Sequence, residues 1–250
     1  MKAFENRDYL HTRHARPIRI LSEYMHPLHV FKENKVTDMV VFFGSARIPS
    51  SEASGSESHE SKGKSSPDPS LYPYYEQARK LAESVTLWSQ QKAQAHGRNF
   101  LVCTGGGGGI MEASNRGASD AGGNSIGLGI ELPMEKGNNP YITPELNLEF
   151  HYFFTRKYWF MYFARVLIVF PGGFGTMDEL FETLTLQQTK HLDRQIPVVL
   201  FGREFWERLI DFEYLAELGL ISPGDLKLFN KVDSVGEAED FLFPYLESLL

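Results

Sequence analysis

The run Val166-Leu167-Ile168-Val169-Phe170-Pro171-Gly172-Gly173-Phe174-Gly175-Thr176-Met177-Asp178-Glu179-Leu180-Phe181-Glu182 changes character twice. Its first five residues form a short, unbroken apolar stretch rich in branched side chains, the pattern of a strand buried on both faces of a parallel sheet. Gly172, Gly173 and Gly175 then allow a sharp turn and leave backbone NH groups uncovered. From Met177 the spacing turns helical. Strand, glycine turn and helix N-terminus together make an anion pocket, and a phosphate is its natural occupant.

Outward from this stretch the same order recurs. An apolar strand is expected over 39–43, ending in the small-residue turn Gly44-Ser45-Ala46-Arg47. A second, over 100–103, runs into Thr104 and the five glycines Gly105 to Gly109. Between them Tyr75, Ala78, Leu81, Ala82, Val85 and Trp88 share one face of a long helix. Further elements are a helix over 110–121, a strand over 125–130, an irregular segment over 131–150, an aromatic helix over 155–164, a helix over 177–189 and a strand over 198–201. Helices over 204–218 and 235–250 close the chain, the last kinked or shortened by Pro244. This alternation predicts an α/β fold, a Rossmann-like doubly wound parallel sheet with helices on both faces and right-handed crossovers.

Residues 37–250 are expected to form one nucleotide-binding domain, with a polar, mobile surface insertion at 49–70. Residues 1–36 form a helical N-terminal extension. In it Ile18, Leu21, Tyr24 and Met25 mark a short helix ending before Pro27. Arg13, Arg16 and Arg19 read as a solvated basic segment, and His26 and His29 lack the further ligands that a metal site needs.

Composition narrows the function. The net charge of -7 excludes a nonspecific nucleic-acid binder, which needs a basic face, but allows a small anionic ligand. No apolar run approaches the length of a membrane span and the N-terminus has no signal-like core, so a cytoplasmic protein is expected. The single cysteine, Cys103, reads as a buried strand residue in a reducing compartment.

Several constellations admit two readings. Thr176-Met177-Asp178-Glu179 has the spacing of a capping box, in which Glu179 only ties down the start of a helix; it is also an acid beside an anion pocket. Arg156 and Lys157 sit among Tyr152, Phe153, Phe154, Tyr158, Trp159, Phe160, Tyr162 and Phe163. Most of the rings suit core or subunit packing and one or two suit base stacking, while the cations suit holding a phosphate, orienting a carboxylate or forming surface ion pairs. Gly105 and Gly107 fit the first two positions of a dinucleotide fingerprint and Glu131 would be the ribose carboxylate, but Ile110 occupies the place of the third small residue, so the match is partial. No lysine follows the glycines as in a P-loop.

Arg156-Lys157 followed by Pro171-Gly172-Gly173-Phe174-Gly175-Thr176-Met177-Asp178-Glu179, with Thr104 to Ala113 upstream, resembles the LOG family of nucleotide phosphoribohydrolases, many of whose members carry a lysine decarboxylase label. The match runs over about residues 37–200 and looks more like the larger bacterial members than the compact plant type. The resemblance implies hydrolysis of the N-glycosidic bond of nucleoside 5'-monophosphates, purine or cytokinin-type, to free base and ribose 5-phosphate. It implies Glu179 and Arg156 as catalytic residues, Gly172, Gly173, Gly175 and Thr176 on the phosphate, and Gly44, Ser45, Gly105, Gly106 and Lys157 along the nucleotide. No metal or other cofactor is expected, nor a nucleic-acid or membrane partner, and a homo-oligomer, dimer or larger, is. The decarboxylase label finds no lysine singled out for pyridoxal phosphate. A noncatalytic nucleotide sensor and a dinucleotide-dependent enzyme are the alternatives.

Overall fold

The computed structural model describes residues 1–50, 67–131 and 137–250. Most of the insertion expected at 49–70 therefore lies outside the described residues, as do residues 132–136 of the irregular segment.

Seven parallel strands form one sheet: β1 Asp38–Phe43, β2 Phe100–Thr104, β3 Ser125–Ile130, β4 Asn147–Phe150, β5 Ala164–Val169, β6 Val198–Phe201 and β7 Phe229–Val232. Their order is β4-β3-β2-β1-β5-β6-β7. Register pairs Val40 with Val102 on one side and with Val166 on the other. Side chains alternate across the sheet. Val40, Phe42, Val166 and Ile168 enter one core, against α3 (Pro73–Trp88), α4 (Ile110–Asp120) and α9 (Val235–Glu247). Met39, Val41, Phe43, Leu167 and Val169 enter the other, against α2 (Arg16–Glu33), α5 (Phe153–Phe163), α6 (Phe174–Gln188), α7 (Arg203–Leu209) and α8 (Phe212–Glu217). A four-residue helix, α1 (Arg7–Leu10), precedes these. The sheet is thus doubly wound, and its strand order reverses between β1 and β5, where such sheets open a ligand crevice beyond the strand carboxyl ends.

The expected strands over 125–130 and 198–201 and the buried face of α3 match what is found. Four expectations are corrected. The irregular segment contains β4, whose Leu148 and Phe150 are buried while Asn147 and Glu149 are exposed, the short alternation of an edge strand. β7 was not expected at all; its residues 229–232 mix polar and apolar because it closes the opposite edge. The helix expected over 204–218 breaks at Ile210, and Asp211 restarts it as α8 by accepting from the Tyr214 NH at 2.8 Å.

The fourth concerns Pro27. It does not end the helix but lies inside α2, buried. A proline there leaves the carbonyl four residues back without its helical donor. That carbonyl belongs to Glu23, and it accepts from the Trp159 indole NH at 3.1 Å. The break in the helical ladder is made good by a side chain of α5.

Candidate functional site

Three chain segments meet where the strand order reverses. The Phe170 NH donates to the Phe43 carbonyl at 2.8 Å, the Ser45 NH to Pro171 at 3.0 Å, and the Ile110 NH to Ser45 at 3.0 Å. A Cβ on Gly44 would meet the Ile110 side chain at 2.7 Å, so only glycine lets the β1 turn close against the start of α4. Gly109 is held tighter still, with φ +63° and the Ser45 carbonyl 2.3 Å from where a Cβ would stand. The stitched turns wall a cleft of about 1500 Å³.

The N-terminus of α6 opens on this cleft. The helix begins at Phe174, three residues earlier than Met177, with Gly173 as its N-cap, so Gly175 and Thr176 lie in its first turn and not in the loop. The Met177 NH already bonds Gly173 at 3.0 Å, whereas the NH groups of Phe174, Gly175 and Thr176 have no acceptor among the described residues. These three donors and the helix dipole make a candidate anion pocket. The Phe174 NH is a member that sequence reading missed, because it had placed Phe174 in the loop.

The earlier helix start overturns the capping-box reading of Glu179. Thr176 is not the N-cap, and Glu179 is the sixth helical residue, 2% exposed. Its Oε1 lies 3.3 Å from Arg156 Nη2, and its Oε2 is buried without a hydrogen-bond partner among the described residues. Burial raises its pKa to about 7, outweighing the opposing pull of Arg156 and Lys157; Glu182 and Asp178 push it further up. A carboxyl titrating there is suited to taking and returning a proton near neutrality.

Arg156 is itself clamped. Its guanidinium lies 5.4 Å from the ring centroid of Phe153 and 5.5 Å from that of Phe160, three residues before it and four after, and so on one face of α5. Its Nε is buried and has no partner among the described residues. A Cβ on Gly105 would stand 3.9 Å from Arg156 Nη1, so the five-glycine turn reaches the same place.

Gly44, Ser45, Gly105, Gly172, Gly173, Gly175, Thr176, Arg156 and Glu179 all line the cleft, joined by Arg47 and Phe174. Lys157 does not. It turns to the far side of α6, where Nζ pairs with Asp178 at 2.8 Å and Glu182 at 3.1 Å, because the neighbouring helical position points about 100° away from Arg156. Gly106 is turned inward as well. It has φ +79°, donates to Thr104 Oγ1 at 3.0 Å, and its carbonyl accepts from the Asn139 backbone at 2.7 Å. Buried Asn139 and Asn115 brace the turn from behind, with Asn139 Nδ2 on the Asn115 side-chain oxygen at 3.0 Å and Thr104 Oγ1 on the same atom at 2.7 Å. Such polar core residues leave no periodic trace in a sequence. Cys103 is wholly buried and its thiol is pushed up by burial, as a strand residue should be.

The family described as possible lysine decarboxylase matches residues 111–242, more than half of the 250-residue chain. Among solved structures, the Moco carrier protein from Chlamydomonas reinhardtii is similar at 17% identity over 85% of this chain and 99% of its own, with a TM-score of 0.52. The molybdenum cofactor binding protein from the phototrophic bacterium Rippkaea orientalis is similar at 16% identity, 83% of this chain and 95% of its own, with a TM-score of 0.51. No curated protein matches the chain significantly. The two structures share the fold, and among the described residues no helix is long and apolar enough to cross a membrane. The family match, together with the Pro171-to-Glu179 turn and helix at the strand reversal, establishes that this chain belongs to the LOG family, the one described as possible lysine decarboxylase.

Proposed function

We propose that the protein hydrolyses the N-glycosidic bond of nucleoside 5'-monophosphates, purine or cytokinin-type, to free base and ribose 5-phosphate. The observation that carries this reading is the buried Glu179 carboxyl with one oxygen on Arg156 and the other unpartnered, facing the cleft that the α6 NH groups also face. Five helical steps separate Phe174 from Glu179, about 7.5 Å along the axis, the scale of a ribose 5-phosphate.

In this reading the 5'-phosphate sits on the NH groups of Phe174, Gly175 and Thr176, with Gly172 and Gly173 allowing its approach. Gly44, Ser45 and Gly105 line the nucleoside. As the bond from C1' to the base nitrogen breaks, its electron pair leaves with the base and positive charge develops on the ribose. Ionised Glu179 stabilises that charge and takes a proton from the water whose oxygen adds to C1'; the proton passes on to the departing base. Arg156 holds the carboxylate in place.

The decarboxylase label does not suit the residues present. Pyridoxal phosphate needs a lysine amine free to form a Schiff base, no lysine lines the cleft among the described residues, and Lys157 is engaged by two carboxylates. The dinucleotide alternative draws little support, since the five-glycine turn follows β2 and not the central β1, and Glu131 pairs loosely with His151 at 3.5 Å.

A second reading, binding without turnover, is favoured by one observation. The cleft, about 1500 Å³, exceeds the roughly 300–1000 Å³ common for small-molecule sites, and the structurally similar proteins are named as carriers or binders of the molybdenum cofactor. Incubating pure protein with a panel of purine and pyrimidine monophosphates separates the two, by release of ribose 5-phosphate or by recovery of bound ligand unchanged. We also infer self-association through the exposed rings Phe154, Tyr158 and Tyr162 on one face of α5, checked by sedimentation equilibrium.

A further inference from the structure

The N-terminal helix α2 grips the start of α5 through one side chain. The Glu23 carboxylate accepts from the His151 NH at 2.9 Å, the Tyr152 NH at 3.2 Å and Thr155 Oγ1 at 2.7 Å. α5 has no cap of its own, since Tyr152 at its N-cap supplies no side-chain hydrogen bond. Glu23 stands in for that cap from another helix and places negative charge at the positive end of the α5 dipole. The backbone of the same residue accepts from Trp159, as Pro27 allows, so side chain and main chain of Glu23 hold both the first and the second turn of α5. Arg156 lies between these two anchors, next to Thr155, and its NH makes the 3.3 Å bond to the Tyr152 carbonyl that opens the helix.

We propose that Glu23 is a positioning residue for Arg156: by fixing the entry to α5 it sets where the guanidinium stands relative to Glu179, which gives the N-terminal helix a part in the cleft's chemistry. The proposal rests on the hydrolase reading only for its effect on rate. Its structural part stands apart from that reading.

The charged groups around Glu179 are Arg156 and Lys157 on α5 and Asp178 and Glu182 on α6; the segments walling the cleft add Arg47, Glu131, Glu149 and His151. Of these, Glu23 bonds the His151 backbone directly and reaches Arg156 through the Tyr152 and Thr155 anchors of α5; among the described residues no hydrogen bond ties it to Asp178 or Glu182 on α6. The test is a carbon-13 NMR titration of the Glu179 carboxyl, assigned by its loss in Glu179→Gln. Glu23→Ala should raise the midpoint by about half a unit or more, as the guanidinium that favours the ionised form moves off. In an Arg156→Met background the same change should move it by less than about 0.2 unit, because Glu23 acts through Arg156. With adenosine 5'-monophosphate, Glu23→Ala should lower kcat about tenfold with KM within about twofold. Should Glu23→Ala not fold, Glu23→Gln, which keeps the shape and loses the charge, is read by the same criterion. An unchanged midpoint in the native background, or equal shifts in both backgrounds, overturns the proposal. If native protein fails to hydrolyse any monophosphate, the hydrolase reading falls while the titration still decides the role of Glu23.

Discussion

Arg156 Nη2 stands 3.3 Å from one oxygen of Glu179, and the other oxygen of that carboxyl is buried with no hydrogen-bond partner among the described residues. A half-satisfied acid in a desolvated place costs stability, and the cost depends on pH. Burial holds the folded-state pKa at about 7 against an ordinary value of 4.5. Below pH 4.5 both folded and unfolded chains are protonated there and nothing is lost. Between 4.5 and 7 the unfolded chain ionises first, so stability falls as pH rises, by roughly 3 kcal/mol in all, and stays down above 7. Glu179→Gln removes this dependence. Urea unfolding at pH 4.5 and pH 8 should therefore show the variant gaining on the native protein as pH rises; a parallel shift at both pH values contradicts the assignment.

Arg156→Lys keeps the charge and loses the planar fork and its contact with Phe153 and Phe160. The variant should fold with near-native stability, and kcat/KM on a nucleoside monophosphate should fall about tenfold to a hundredfold. Steady-state kinetics with a melting curve on the same sample checks both halves.

The glycines of the α6 turn should divide by cause. A Cβ on Gly172 would lie 2.1 Å from Thr176 Oγ1 and 2.6 Å from Thr176 Cβ, so Gly172→Ala should destabilise the fold by about 1–3 kcal/mol. Gly175 has nothing within 4 Å of the same position and is helical. Gly175→Ala should leave stability unchanged or raise it by up to about 1 kcal/mol, yet weaken binding of a phosphate-bearing ligand, because the methyl projects into the cleft. Calorimetric titration with a monophosphate, beside thermal unfolding, separates the two glycines.

Much of this was legible in the chain. Buried parallel strands show as apolar runs, and the α3 face shows as six residues at helical spacing, all of them buried. The turn at Pro171 marks the strand reversal because glycine is required wherever backbone must face a ligand. Legibility failed where tertiary contacts replace local signals. Glu23 caps a helix more than a hundred residues away, Trp159 satisfies the carbonyl freed by Pro27, and β4 and β7 are edge strands of four residues whose mixed composition resembles a loop. The start of α6 was misplaced because Phe174-Gly175-Thr176 looks like turn chemistry and only the packed structure shows it to be helical. That error is what made Glu179 resemble a cap.

At the opposite end of β1 from the cleft, Asp38 is wholly buried and takes Arg98 at 2.7 Å and the Arg165 Nε on one carboxylate oxygen. Asp38→Asn leaves two guanidinium groups without their carboxylate. It should cost about 3–5 kcal/mol of stability while KM stays unchanged at a temperature where the variant is folded. A denaturant series with kinetics on the folded fraction is the check.

The central claim is that Glu179 performs chemistry on a ligand held by the first turn of α6. The most direct measurement is release of ribose 5-phosphate from a panel of nucleoside 5'-monophosphates by the native protein and by Glu179→Gln, with binding of the same ligands measured in parallel. Native protein should yield equal amounts of free base and ribose 5-phosphate from at least one of them, and the variant should bind that ligand with turnover lowered at least about a hundredfold. Binding by both proteins with every monophosphate recovered intact contradicts the account.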